Sequence, residues 1–278
     1  MPNRNDGDDR TPAGLIAAQA VNFEASVLKR AAGQLLVEVR LRRTGGEVVN
    51  YQLTVEARTP AIQVRESEPR HLPPSCPDRH INPDGTFCMN WQTADPVRVD
   101  DAEGAEQWWA ILLQYLKLQE RARRLGRWPS RRQWAHGDAA RHQSEAEACA
   151  AVLGDRIGNA LAAGRLVITR HPGRTAFVTL QDGDRRLYSV WTGHNRVVTQ
   201  RQACLCGSGR PLRRCSDHAA RAADLVSALE RWRKADAAFW RAARSLKCCG
   251  TLEQCPLRDL HAVVPPPPIA HTQHDLAA

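Results

Sequence analysis

The chain has 278 residues, 42% hydrophobic and 25% charged, which allows one large or two small globular domains and excludes a wholly disordered protein. No apolar run approaches the roughly 18 residues of a membrane-spanning helix, and the first ten residues lack the apolar core of a signal peptide, so we expect a cytoplasmic protein without a membrane partner. The net charge is +9, and arginines cluster at 121–141 and 231–247. These clusters would form either a binding surface for acidic partners or solvated helix faces.

The first third of the chain predicts one helix followed by strands. Residues 1–11 are polar and without periodicity, which indicates a disordered lead. An alanine-rich helix is expected from Ala13 to Ala32, ending at Gly33. Three short strands follow as a meander, at 35–41, 48–55 and 61–65, and Thr44-Gly45-Gly46 supplies the first hairpin turn.

A proline-rich irregular stretch and two helices come next. Five prolines between Glu68 and Asn90 exclude a helix there, and a long irregular stretch inside a compact domain often carries function. Apolar residues at helical spacing predict a mostly buried helix over 105–125. A second helix is expected over 144–163, with Cys149 as a buried structural thiol.

The last part of the chain changes character at Gly164. Turn sequences separate three short predicted strands, at 166–169, 176–180 and 187–191. A cysteine-rich loop precedes a long helix expected over 217–246, and a second group of cysteines follows that helix. The four prolines after Val264 predict a flexible tail over 263–278.

The irregular stretch contains a candidate nucleophile. In the run His80-Ile-Asn-Pro-Asp-Gly-Thr-Phe-Cys-Met89, a cysteine follows a glycine turn and an apolar residue. A thiolate attacks an activated acyl carbon readily, and the resulting thioester stays reactive toward amines. A side-chain amide such as that of Asn82 is suited to hydrogen-bond the developing oxyanion. Cys76 lacks this pattern and is the weaker candidate.

This run resembles the active-site segment of ubiquitin-conjugating enzymes, which carry a His-Pro-Asn motif before a catalytic cysteine. His80 and Asn82 match the outer residues of that motif, and Cys88 matches the nucleophile, whereas Ile81 replaces the proline. The resemblance covers roughly residues 12–125 and implies that Cys88 carries an acyl group, that Asn82 assists transfer and that His80 shapes the loop. An acid on the lip after Cys88 would orient the incoming amine, and the sequence leaves Asp95, Asp100 and Asp101 open.

The first cysteine-rich loop predicts a structural zinc site. Nine cysteines without an export signal favour metal ligation or catalysis over a disulfide framework. Three thiols and an imidazole within fifteen positions suit tetrahedral zinc. The expected ligands are Cys204, Cys206, Cys215 and His218. The run from Cys204 resembles the SEC-C zinc-binding motif, with Ser216 in the place of that motif's last ligand.

The second group, Cys248, Cys249 and Cys255, is a weaker metal candidate. Three alternatives remain open for these thiols. They would bind a second metal ion together with His261, contribute ligands to the first site, or simply pack at the end of the long helix.

Together these observations predict an α+β fold in four parts. A disordered lead over 1–11 precedes a conjugating-enzyme-like domain over 12–163, a zinc-stabilised cysteine-rich domain over 164–262 and a flexible tail over 263–278. The resemblance implies an enzyme that carries a ubiquitin-like protein on Cys88, with no organic cofactor, and that meets an activating enzyme and a target protein. The alternatives are a non-catalytic adaptor that binds a ubiquitin-like protein, and a basic zinc module that binds nucleic acid or a chaperone.

Overall fold

The computed structural model describes residues 10–58, 61–90, 97–129, 135–174, 176–215 and 217–258. The lead predicted for 1–11 lies almost wholly outside these ranges, as do the tail predicted for 263–278, Asp95 and His261. Within the described ranges the chain forms two four-stranded antiparallel sheets and five helices, which confirms the α+β class. None of these helices combines the length and the apolarity needed to cross a membrane.

The N-terminal segment is not the single helix predicted for Ala13 to Ala32. Helix α1 spans Pro12–Gln19, with the Thr11 side chain accepting a backbone N–H at 3.1 Å as the N-cap. After a 3-10 turn, Glu24 adopts a left-handed φ of 52°, and strand β1 covers Ala25–Ala31. Alanine favours a helix locally, but pairing with the next strand supplies a ladder of hydrogen bonds that overrides this propensity.

The predicted meander is confirmed in the first sheet. Strands β2 (Gln34–Arg42), β3 (Val48–Arg58) and β4 (Ala61–Glu66) pair antiparallel in the order β1-β2-β3-β4. Alternate residues of β2 face the core, because successive side chains of a strand point to opposite faces. The buried set is Leu35, Val37, Val39 and Leu41.

Helix α2 (Ala102–Leu125) packs against this sheet and against α1, and it confirms the buried helix predicted for 105–125. Its N-cap is Asp101, whose carboxylate accepts the Gly104 N–H at 2.8 Å. Both Trp108 and Trp109 are buried, and the Trp109 indole donates to a backbone carbonyl of α1 at 2.9 Å.

The next predicted helix, over 144–163, is two helices. Helix α3 covers Ala139–Leu153 and helix α4 covers Asp155–Ala162, and they are separated by Gly154 with φ 101° and ψ 165°. That backbone conformation is open almost only to glycine, so the helix has to break there. Cys149 on α3 is buried, as predicted.

The second sheet has the order β5-β6-β7-β8, and its first three strands confirm the prediction. The strands are β5 (Leu166–His171), β6 (Phe177–Asp182), β7 (Arg185–Trp191) and β8 (Arg196–Val197). The long helix α5 (His218–Ala242) lies against α3 and the sheet, and a 3-10 turn, Ala243–Ser245, extends it.

Three apolar clusters hold these elements together. The largest joins the first sheet to α1 and α2, and the second joins the second sheet to α3 and α5. The third and smallest connects the two halves: Ala122 of α2 packs there with Ala243, Leu252 and Leu257 from the end of the described chain. This junction determines how the C-terminal residues lie against the irregular stretch before Cys88.

Candidate functional site

The segment before Cys88 is a closed loop built by backbone hydrogen bonds. Cys76 and Ile81 exchange two such bonds, each of 3.0 Å, around the 3-10 turn Pro77–Arg79. His80 ends the turn at a left-handed φ of 55°, and its carbonyl accepts the Cys88 N–H at 2.8 Å. The candidate nucleophile is thus tied directly to the histidine that the sequence analysis selected.

Side chains of helix α2 fix the position of this loop. The Tyr115 hydroxyl donates to the His80 carbonyl at 3.0 Å, and the Gln119 amide donates to the Arg79 carbonyl at 2.6 Å. The Tyr115 ring also stacks on Phe87 with centroids 4.8 Å apart. Because these partners are buried in the core, the loop has a defined position relative to the sheet.

A glycine turn places Asn82 on the same loop. Gly85 has a φ of 80°, and the Asp84 carboxylate accepts both the N–H and the hydroxyl of Thr86, at 3.0 and 2.6 Å. The Asn82 amide donates to the Thr86 hydroxyl oxygen at 3.0 Å, so Thr86 holds the exposed Asn82 side chain. These hydrogen bonds also lower the pKa of Asp84, which keeps that carboxylate ionised.

Cys88 is half-buried, and burial raises the pKa of its thiol. At neutral pH the group is therefore a thiol rather than a thiolate, and its nucleophilicity is lower than that of a free cysteine.

A cavity of about 290 Å³ lies beside this thiol. Cys88, His80 and Asn82 all line it, so the three residues selected from the sequence border one cavity. The second half of the chain also lines the cavity, through His136 and the end of α5. Its lining there is mainly apolar, with Phe239, Ala242, Ala243 and Leu246.

Both cavity histidines are neutral at physiological pH. Burial, with a smaller effect from neighbouring His136, lowers the pKa of His80 to about 3, and burial lowers the pKa of His136 to about 4. The two rings lie 4.6 Å apart, and His136 stacks on Phe239 at the same distance. Sequence reasoning gave His136 no role, because nothing in its local pattern indicates that it reaches residues more than fifty positions away.

The acids proposed for the lip differ in their surroundings. The Asp101 carboxylate is engaged as the N-cap of α2, whereas Asp100 is exposed just before it. Asp95 lies outside the described residues.

The predicted zinc ligands form a compact group. Cys204 Sγ lies 3.1 Å from His218 Nδ1, Cys206 Sγ lies 3.6 Å from Cys215 Sγ, and Cys215 Sγ lies 3.3 Å from His218 Nδ1. All four ligand atoms are within 4.8 Å of one another. Three sulfurs and one imidazole at this spacing fit a tetrahedral metal ion, so the cluster is compatible with structural metal binding.

Local sequence explains how these ligands converge. Gly207 and Gly209 have φ values of 78° and 70°, which let the chain reverse so that the Cys204 N–H bonds the Arg210 carbonyl at 2.8 Å. His218 is the first residue of α5 and is therefore held by a rigid element. Hydrogen bonds from the side chain and backbone of Ser208 lower the pKa of Cys206 to about 6, which favours the thiolate that a metal requires.

The second group of cysteines has a different arrangement. Cys249 Sγ contacts Cys76 Sγ at 2.8 Å, across the junction between the two halves, and Cys248 pairs with Cys255. Among the described residues, the group around Cys204 is the one that brings three or more potential ligands within 4.8 Å. Sequence reasoning did not connect Cys76 with the C-terminal cysteines, since 173 positions separate it from Cys249.

Two family models match the chain in succession. Residues 23–130 match the prokaryotic E2 domain, and residues 135–257 match a cysteine-rich domain, C-terminal to E2 domain. The first match contains Cys88 and the second contains the group around Cys204. No curated protein and no solved structure gives a significant match. The order of the two matched domains agrees with the order expected from the sequence, and an E2-like domain supports a ubiquitin-conjugating-like role in general terms.

Proposed function

We propose, from the match to a prokaryotic E2 domain followed by a cysteine-rich domain, that this protein carries a ubiquitin-like protein as a thioester on Cys88 and transfers it to an amine of a target protein. The observation that supports this most directly is the position of Cys88 on the wall of a cavity that His80 and Asn82 also line. The activity is an acyl transfer that needs no organic cofactor.

The reaction has two balanced steps. The Cys88 sulfur attacks the thioester carbonyl that links the modifier to an activating enzyme, a new thioester forms, and the activating enzyme's thiol leaves with the proton. An amine of the target then attacks the Cys88 thioester, an amide bond forms, and the Cys88 thiol is released. Each tetrahedral intermediate carries negative charge on the former carbonyl oxygen.

Asn82 is the residue that we assign to that charge. Its amide donates to the Thr86 hydroxyl oxygen, which holds the side chain beside the cavity. Removal of one such donor from an acyl-transfer site typically costs about 3–4 kcal/mol of transition-state stabilisation. His80 has a structural role here, because its ring is buried and neutral and its carbonyl holds the Cys88 N–H.

The cysteine-rich domain supports the fold in this proposal. Cys204, Cys206, Cys215 and His218 would hold a structural zinc ion, which would link the cysteine-rich loop to the first turn of α5. The same helix ends at the cavity beside Cys88, so a stable α5 also defines the space that an incoming amine enters. We place the protein in the cytoplasm, where cysteines stay reduced.

A non-catalytic adaptor is the second candidate. The specific observation in its favour is the raised pKa of Cys88, which lowers the thiolate fraction at neutral pH. In that case the same surface would bind a ubiquitin-like protein without forming a bond to it.

Expression of the wild type beside Cys88→Ser in the native host distinguishes the two. We expect a thiol-sensitive protein adduct on the wild type and a thiol-resistant adduct on Cys88→Ser, both mapped to residue 88, because serine replaces a labile thioester with a more durable oxyester. Intact mass and peptide mapping measure both, and Cys149→Ser, a buried thiol away from the site, serves as the control. Absence of any adduct while the activating enzyme is active would favour the adaptor.

A further inference from the structure

Four cysteines lie in two pairs near the junction of the two matched domains. Cys76 begins the loop that leads to Cys88, whereas Cys248, Cys249 and Cys255 follow the end of α5. The Cys76 and Cys249 sulfurs are 2.8 Å apart, and the side chains of Cys248 and Cys255 form a second hydrogen-bonded pair. Cys248 and Cys255 belong to the apolar cluster that connects the two halves, and the contact of Cys76 with Cys249 spans the same junction.

Backbone amides surround these sulfurs in a repeated pattern. The Gly250 N–H donates to Cys248 Sγ at 3.4 Å. The amide of Thr251 likewise bonds the Cys249 sulfur, and the amide of Leu257 bonds the Cys255 sulfur, in each case two residues further along the chain. The Cys204 and Cys206 sulfurs have the same relation to the amides two residues after them. Amides directed at sulfur stabilise thiolates, the form that ligates metal.

A buried arginine beside these cysteines lacks an anionic partner in the described part of the chain. Arg79 is only 1% exposed, and its guanidinium donates to the Gln119 side chain, the Gln119 carbonyl and the Thr251 hydroxyl at 2.8–3.2 Å. All of these acceptors are neutral, and within the described ranges no carboxylate forms an ion pair with Arg79. A buried unpaired charge is strongly unfavourable, so the guanidinium needs an anion nearby.

We propose that Cys76, Cys248, Cys249 and Cys255 bind one zinc ion that joins the E2-like domain to the cysteine-rich domain. Binding forms four zinc–sulfur bonds and releases a proton from each sulfur that still carries one. The zinc tetrathiolate has a net charge of −2 and supplies the anion for Arg79. At a zinc–sulfur distance of about 2.3 Å, tetrahedral ligands lie roughly 3.8 Å apart, so the Cys76 and Cys249 sulfurs separate slightly while the two pairs close on the metal.

A disulfide between Cys76 and Cys249 explains less of this arrangement. It would leave Cys248 and Cys255 without a function and would remove the thiolate charge near Arg79. The amides directed at the sulfurs of Cys248, Cys249 and Cys255, together with the buried cation, therefore favour the metal.

Metal content of the purified full-length protein tests the proposal. We expect two zinc ions per chain in the wild type, one in Cys76→Ser, one in Cys215→Ser and none in the double variant. Cys149→Ser retains both, because that buried thiol belongs to neither group. Two zinc ions in Cys76→Ser would overturn the proposal, as would one zinc ion in the wild type together with a disulfide peptide linking Cys76 to Cys249.

A second measurement does not depend on the folding of Cys76→Ser. In Cys215→Ser, which keeps all four junction cysteines, we expect exchange of the remaining zinc for cobalt(II) to give the intense sulfur-to-metal charge-transfer absorption of a tetrahedral all-sulfur site. Absence of that absorption in cobalt-loaded Cys215→Ser would contradict the assignment. Neither measurement requires thioester formation, so the outcome is separate from that of the proposed function.

Discussion

Cys88 is positioned by its neighbours but not activated by them. Burial dominates its pKa, and no charge that would favour the thiolate contributes to the shift. In the proposed function, the binding of partner proteins would therefore have to bring a reactive carbonyl to the sulfur, since a pre-formed thiolate is scarce at neutral pH.

The pH dependence of alkylation measures the thiolate fraction of Cys88 directly. We expect the rate at which iodoacetamide modifies Cys88 to rise with pH to a midpoint above that of a free cysteine, about 8.5, because the raised pKa delays formation of the thiolate. Quantitative mass spectrometry of the peptide containing residue 88 gives the rate. In urea-unfolded protein the midpoint should return to the ordinary value; a folded-state midpoint at or below that value would contradict the interpretation.

Variants of Asn82 and Thr86 separate the proposed role of Asn82 at the oxyanion from its role in the structure of the loop. We expect Asn82→Ala to keep thioester formation and to slow transfer to an amine by about 10²–10³-fold, the usual effect of losing one oxyanion donor. Single-turnover discharge of the loaded protein is the measurement. Thr86→Val removes the hydroxyl that accepts from the Asn82 amide and donates to Asp84, but it keeps the Asn82 amide itself, so it should cause a smaller loss. Equal discharge rates for Asn82→Ala and the wild type would exclude the role.

Helix α2 is the element on which the site depends. One part of it holds the loop carbonyls through Tyr115 and Gln119, and the next residue, Glu120, fastens the helix to the first sheet. The Arg43 guanidinium donates twice to Glu120, at 2.6 and 3.0 Å, and the Tyr51 hydroxyl donates at 2.5 Å. Desolvation opposes ionisation of Glu120, but these hydrogen bonds outweigh it and lower its pKa.

This attachment predicts a pH-dependent contribution to stability. Glu120→Gln should lower the free energy of unfolding by about 1.5–3 kcal/mol at pH 7, the range for a hydrogen bond to a charged group. Because the folded-state pKa is lowered, the contribution is complete above the unfolded pKa of about 4.3 and is lost as pH falls through the folded value. Urea unfolding at several pH values measures it.

The control for this experiment uses the same arginine. Glu47 also pairs with Arg43, at 2.9 Å, but its side chain is 67% exposed, so Glu47→Gln should change stability by less than about 1 kcal/mol. Equal effects of Glu47→Gln and Glu120→Gln would show that burial of Glu120 is not the source of its contribution.

Predictability also differs between elements. Strands β2 to β7 and helix α2 could be predicted from the sequence pattern, because each buries apolar residues in its own core. Strand β1 did not follow, since its alanines favour a helix until β2 is present to pair with them. The helix breaks at Gly154 because this residue adopts a backbone conformation that is open almost only to glycine. A single glycine inside a helical pattern does not reveal that the helix ends there.

Across the whole molecule, contacts within one segment were predictable and contacts between segments were not. The group of Cys204 to His218 spans fifteen positions, and its spacing was sufficient to indicate a metal site. The wall of the Cys88 cavity formed by His136 and α5 required the relative placement of two domains. The same holds for the contact of Cys76 with Cys249, because no local pattern encodes it.

The extension of α5 to the Cys88 cavity brings a lysine of the chain to the residue next to the cavity wall. Only four residues of the chain are lysines, and one of them, Lys247, is exposed and directly follows Leu246 in the cavity wall. In the proposed function, a thioester on Cys88 would have this lysine as an amine of the same chain, adjacent in sequence to the cavity wall. Without a target, modification should fall on Lys247 rather than be shared among the lysines.

Peptide mapping of loaded protein incubated without a target tests this consequence. Lys247→Arg should abolish most isopeptide formation, whereas Lys117→Arg, at an exposed position on α2, should leave it unchanged. Similar modification of Lys117 and Lys247 would mean that the end of α5 confers no such preference. If modification falls mainly on Lys247, transfer to this lysine would shorten the lifetime of the thioester on Cys88. The amount of target protein would then determine whether the modifier is transferred to the target or to Lys247.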